Sequence, residues 1–147
     1  MALTKVTGKG IDGGAISTET AGTNNLILGS TAGDSIASGG DNNTVVGTNA
    51  GTAITTGTKN TFVGGSAGDA LTDADENVAV GYNTLSTDTL GSRSVAIGAD
   101  ALGTQNPASA TNMYNIGVGF NAGAVVTTGI KNTFVGGLAG DGTDDGA

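Results

Sequence analysis

The side chains that ordinarily carry catalysis are scarce in this 147-residue chain. It contains no His and no Cys, which removes the imidazole base, the thiolate nucleophile and thiolate metal sites. Neither a serine nucleophile elbow nor a P-loop nor a dinucleotide-binding fingerprint occurs, so no enzymatic activity and no cofactor are expected. Two acidic clusters remain: Asp69, Asp73, Asp75 and Glu76, and further on Asp141, Asp144 and Asp145. Oxygen-rich loops suit calcium, but neither cluster has EF-hand spacing, and solvated loops with no bound metal are the expectation. The aromatic side chains are few and placed unevenly. Tyr82, Tyr114 and Phe120 stand near Gln105, Asn106, Pro107 and Met113. Rings beside amides suit stacking on sugar faces, which makes these three a candidate glycan contact. Packing at a seam between chains is the plainer reading of the same residues.

What must position these residues is a repeat. Asn60-Thr61-Phe62-Val63-Gly64-Gly65-Ser66-Ala67-Gly68-Asp69 returns 72 residues later as Asn132-Thr133-Phe134-Val135-Gly136-Gly137-Leu138-Ala139-Gly140-Asp141. Taking the glycine after each short apolar run as anchor, the series is Gly29, Gly47, Gly64, Gly81, Gly98, Gly119 and Gly136, spaced 18, 17, 17, 17, 21 and 17. A fixed period of this size marks a solenoid or array. The expected fold is all-β: a β-solenoid (a β-roll or one lobe of a triple β-helix) of about seven 17-residue units. An arm or cap is expected over 1–24, followed by units 25–42, 43–59, 60–76, 77–93, 94–114 with a four-residue insertion, 115–131 and 132–147. At about 3.3 Å per strand residue, two strands of roughly five residues and two turns fill such a unit.

The units align in columns. Before the anchor stand Leu28, Val46, Val63, Val80, Ile97, Val118 and Val135, and two places earlier Leu26, Thr44, Thr61, Val78, Val95, Ile116 and Thr133. Between them, on the other strand face, are Ile27, Val45, Phe62, Ala79, Ala96, Gly117 and Phe134. A strand apolar on both faces needs cover on both. One cover is the inside of the coil, assigned here to the pre-glycine column. The other is another copy of the chain, which makes Ile27, Val45, Phe62, Ala79, Ala96 and Phe134 the expected chain–chain seam. Asn25, Asn43, Asn60, Asn77, Asn115 and Asn132 open the strands, with Ser94 the exception, and a stacked Asn column can hydrogen-bond along the axis. Small residues at Ala32, Ala50, Ala67, Ala101, Ala122 and Ala139 mark a tight inward corner, and Ile36, Ile54, Leu71 and Val126 a second apolar position. Threonine arrays can order ice, but Thr44, Thr61 and Thr133 share their column with Val and Ile.

Composition narrows the partners. With 28 glycines and aromatics at 3%, a wide globular core is excluded and a thin stack of branched residues fits. A net charge of −8 with five basic residues argues against nucleic acid and against a polybasic grip on lipid. No apolar run approaches a membrane span, and Met1–Gly10 lacks the apolar core of a secretory signal. Synthesis and assembly in the cytoplasm are expected.

Ser94-Val95-Ala96-Ile97-Gly98 resembles the head repeat of trimeric autotransporter adhesins. Asn77-Val78-Ala79-Val80-Gly81-Tyr82-Asn83-Thr84-Leu85 resembles a repeat of bacteriophage tail fibres, and Met1-Ala2-Leu3-Thr4-Lys5-Val6-Thr7 is similar to the opening of many such fibres. The resemblance implies a homotrimeric structural module that carries adhesion and host recognition. An autotransporter needs a signal peptide and a membrane anchor, which favours the fibre: a shaft segment on the virion, with other fibre or tail proteins and a host-surface glycan as further partners. A self-assembling extracellular filament or a surface adhesin with a glycan-binding face is the alternative. The chain is expected to be a fragment, or a short fibre whose tip is another polypeptide.

Overall fold

The computed structural model describes residues 16–17 and 20–142. Most of the arm expected over 1–24, and Asp144 and Asp145, lie outside the described residues. The strands are β1 (Ile16–Ser17), β2 (Leu26–Leu28), β3 (Thr44–Val46), β4 (Thr61–Val63), β5 (Val78–Val80), β6 (Gly91–Ser92), β7 (Val95–Ile97), β8 (Thr111–Asn112), β9 (Ile116–Val118) and β10 (Thr133–Val135). Among the described residues there is no helix. Strands β2, β3, β4, β5, β7, β9 and β10 stack in parallel in that order, as a β-solenoid of about six turns. Register follows the repeat: Leu26 pairs with Thr44, Thr44 with Thr61, Thr61 with Val78, Val78 with Val95, Val95 with Ile116 and Ile116 with Thr133. The columns of the sequence are therefore axial ladders of the molecule. At the first edge β1 pairs antiparallel with β2, and β6 with β8 forms a small second sheet beside the insertion.

Each turn holds one three-residue strand rather than two longer ones, with the two-residue β6 and β8 added only in the coils of β5 and β7. Backbone conformation sets that limit. The residue before each strand-opening Asn or Ser is left-handed without being glycine, with φ from 53° to 64° at Asn24, Asn42, Lys59, Glu76, Arg93, Tyr114 and Lys131. The anchor glycines end each strand at φ 116° to 140°. A strand cannot extend through either position, and the rest of the coil is tight turns.

The inside of the coil is the middle column. Ile27, Val45, Phe62, Ala79 and Ala96 are buried in one continuous core within a single chain, with Phe134 packed against its end. The expected seam is thus corrected: these six residues face inward, and the pre-glycine column faces out. Volume explains why. Six residues after the middle residue a second position supplies the complementary size, except at Gly117 and Gly123, where Leu102 and Phe134 of the neighbouring coils take the space. Phe62 lies over Gly68, where an added Cβ would come 2.7 Å from the ring, and Phe134 lies over Gly140. Where the middle residue is Ala79 or Ala96, the partner position is Leu85 or Leu102, both fully buried. Those leucines keep the glycine-like φ of 49°, a strain of about 1–2 kcal/mol each that filling the core offsets. Ile36, Ile54 and Leu71 close the far side, and Ala32, Ala50, Ala67, Ala101 and Ala122 line the inward corner.

Asparagines tie successive coils together. Asn25 Oδ1 accepts from the Asn43 amide at 2.7 Å, Asn43 from Asn60 at 2.9 Å, Asn60 from Asn77 at 3.0 Å and Asn77 from Ser94 at 2.9 Å. Their Nδ2 groups cross the coil to carbonyls such as Gly57 O and Ala74 O. Ser94 is too short for that second bond, and Gln105 from the insertion replaces it. Gln105 Nε2 donates to Ser94 Oγ at 3.0 Å and to Asp88 Oδ2, and its Oε1 accepts from Asn115 Nδ2 at 2.8 Å. All four side chains are buried, and Asp88 Oδ1 also accepts from the Gly91 and Leu90 amides.

Burial pushes the Asp88 carboxyl above its ordinary value, against the hydrogen bonds from Gln105, Gly91 and Leu90. The native state therefore holds this proton more tightly than the unfolded chain. Its contribution is most favourable below the ordinary value of 3.8 and declines as pH rises through the raised native value. Gln105→Ala leaves Ser94 Oγ and Asp88 Oδ2 without a partner, while Asn115 Nδ2 keeps the Gly129 carbonyl, and is expected to cost about 2–4 kcal/mol at pH 7. Denaturant unfolding at pH 7 and pH 3 checks this, with a smaller loss expected at pH 3, where Asp88 carries its own proton.

Candidate functional site: the outer sheet face

The pre-glycine column and the column two places earlier point away from the core. Seven parallel strands with about 4.8 Å between neighbours give a strip roughly 29 Å long and 10 Å wide. No charged residue stands in either column, and Thr44, Thr61 and Thr133 are its only polar members. Leu26, Ile97, Ile116 and Val135 are exposed at 46%, 39%, 38% and 70%, and the remaining positions are half-buried apart from exposed Thr133. Parallel sheets are ordinarily covered on both faces, and this strip, roughly 300 Å² in outline, is of the size of the largest apolar patch on an ordinary monomer, which is often functional.

The two flanks of the strip differ. Along the flank where strands begin, the left-handed positions form a ladder of side chains. Lys59 Nζ lies 3.7 Å from Glu76 Oε1, and Arg93 Nε donates to Glu76 Oε2 at 2.9 Å. Arg93 Nη1 donates to Tyr114 Oη at 3.0 Å, with the guanidinium 5.8 Å from the ring centre. The Arg93 side chain holds the Glu76 carboxyl below its ordinary value, and Glu76 in turn raises Arg93. Along the flank where strands end, Tyr82 and Phe120 project at 65% and 56% exposure, and Asp100 Oδ1 accepts from Asn83 Nδ2 at 2.7 Å.

The candidate glycan residues do not form one patch. Tyr82 and Phe120 share a flank two coils apart, about 10 Å, while Tyr114 stands on the opposite flank against Arg93. Gln105 and Met113 are buried and Pro107 is inside the insertion turn, so they offer a ligand nothing. The acidic residues are likewise dispersed. Asp73 accepts from the Thr55 and Thr56 hydroxyls, Thr55 first in holding its carboxyl low, and Asp75 accepts from Thr58. Asp69 lies partly buried on another column, its carboxyl raised by that burial. Among the described residues no acidic group is arranged to hold a metal ion.

Sequence reasoning identified both apolar faces and reversed which one is free. The signal was the size reciprocity between Phe62 and Gly68, Phe134 and Gly140, Ala79 and Leu85, Ala96 and Leu102, since only residues sharing one enclosed space compensate in volume. No protein-family model matches the chain, and no curated protein or solved structure is significantly similar to it. No helix among the described residues is long and apolar enough to cross a membrane.

Proposed function

We propose that the chain is a shaft segment of a homotrimeric fibre, a structural adhesion module of the phage tail-fibre kind that carries host-recognition parts away from a virion. The observation that carries this reading is the uncharged outer strip, an apolar face on a parallel sheet that lacks its second cover. Three copies set around a common axis bury the strip of each against the other two. The function is mechanical. Stacked coils bonded through main chain and Asn side chains resist pulling along the axis, and burial of the strips joins three thin solenoids into one rod. Fibre or tail proteins at its ends are the further partners. A head-to-tail filament is less well supported, because antiparallel β1 interrupts the parallel ladder at one edge.

Val80→Asp with Ile97→Asp tests the reading. Both side chains point outward, so circular dichroism is expected to keep the β signal. The mass by light scattering is expected to fall from three chains to the 14.0 kDa of one. A trimer unchanged by both substitutions would overturn the proposal.

A further inference from the structure

We infer that the two flanks of the strip pair with one another between copies, coil for coil, so that Arg93 meets the partner's Asp100 and Tyr114 meets the partner's Phe120. This rests on the trimeric reading above and adds to it the register and the contacts. In a closed ring of three, each interface is heterologous, one patch against a different patch. If the ring axis runs along the solenoid, three strips form the sides of a triangle. Each corner then brings the flank where strands begin against the neighbour's flank where strands end. Symmetry about that axis holds equivalent coils at equal height.

The residues on the two flanks match under this constraint. Arg93 and Asp100 bracket the same strand, β7, and carry opposite charge. Each has an unfilled position: Arg93 uses Nε and Nη1 within its own chain and leaves Nη2 free, and Asp100 uses Oδ1 and leaves Oδ2 free. Tyr114 and Phe120 bracket β9 and are exposed at 45% and 56%, so that coil carries a large ring on each flank, while Tyr82 stands across β5 from Glu76. An offset of two coils sets Tyr114 against Tyr82 instead, but leaves Arg93 against Gly65 and Ser66; only the in-step pairing gives the charge match and the ring match together.

The chain has no cysteine, so cross-linking reads the register cleanly. The protein carrying Tyr114→Cys and Phe120→Cys is treated with a short bis-maleimide and run on a denaturing gel, beside light scattering of the untreated sample. Within one chain the two positions lie about 15–20 Å apart across β9, beyond the reagent. Covalent trimers are expected. The control pair Tyr114→Cys and Thr48→Cys, four coils or about 19 Å out of step, is expected to stay unlinked. A double-cysteine protein that keeps trimeric mass yet does not link, or that links no better than the control, overturns the flank pairing and leaves the trimer standing. A monomeric mass for the unmodified chain overturns both.

Discussion

Gly64→Ala is expected to unfold the chain, while Gly136→Ala, the same substitution at the equivalent position, is expected to leave it folded. Both glycines end a strand in the left-handed half of φ space, at 140° and 123°, where an L side chain costs about 1–3 kcal/mol. Their surroundings differ. A Cβ on Gly64 would come closer than 3.0 Å to the Gly81 backbone of the next coil, and Gly29, Gly47, Gly81, Gly98 and Gly119 face the same obstruction. A Cβ on Gly136 meets nothing within 4 Å. At Gly64 the clash is with main chain and is relieved only by parting coils held by bonds such as Gly64 N to Val46 O and Gly81 N to Val63 O, both 2.8 Å. Losing several such bonds at about 1 kcal/mol each, on top of the strain, consumes most of an ordinary domain's 5–15 kcal/mol, to use a rough range. Thermal denaturation checks the contrast. Equal destabilisation by the two substitutions would show that φ strain, not coil-to-coil contact, makes these glycines necessary.

Phe62→Asp is expected to abolish the fold, and Val63→Asp, one residue along, is expected to preserve it. Phe62 is fully buried among Gly51, Gly68 and the coil interior. Truncating such a ring alone costs about 3–5 kcal/mol, and a carboxylate there has no partner and no water. Val63 points outward onto the strip, half-buried in the single chain, so its carboxylate stays hydrated until another chain covers it. Circular dichroism of the two variants reads the difference. A folded Phe62→Asp protein would contradict the inward assignment of the middle column. Phe134→Asp is intermediate, because Phe134 sits at the last coil and only that coil is expected to fray.

The period and the ladders were legible in the sequence because a solenoid repeats its contacts at fixed offsets, so Asn43, Asn60 and Asn77 announce their own hydrogen bonds. Facing was not legible from polarity. Val45 and Val46, or Ala79 and Val80, are equally apolar, and no charged residue breaks the alternation to say which face is wet. Core volume decides it, through pairs such as Phe62 with Gly68 and Ala96 with Leu102. Strand length was also hidden, because left-handed φ falls on Lys59, Glu76 and Arg93, side chains with no preference for it. Gln105 illustrates the limit of column reading. Its role as substitute for a missing Asn depends on the insertion folding back beneath Ser94, a contact without a periodic trace. Tyr114 was grouped with Tyr82 and Phe120 by kind, and the width of one strand separates it from both.

The solution mass of the unmodified chain by multi-angle light scattering tests most directly whether the outer strip is an assembly face. A mass near three times 14.0 kDa is expected, independent of dilution across the micromolar range. A stable monomer of 14.0 kDa would contradict the proposal, because the apolar strip would then be tolerated in water as it stands and the fibre would lose its structural basis.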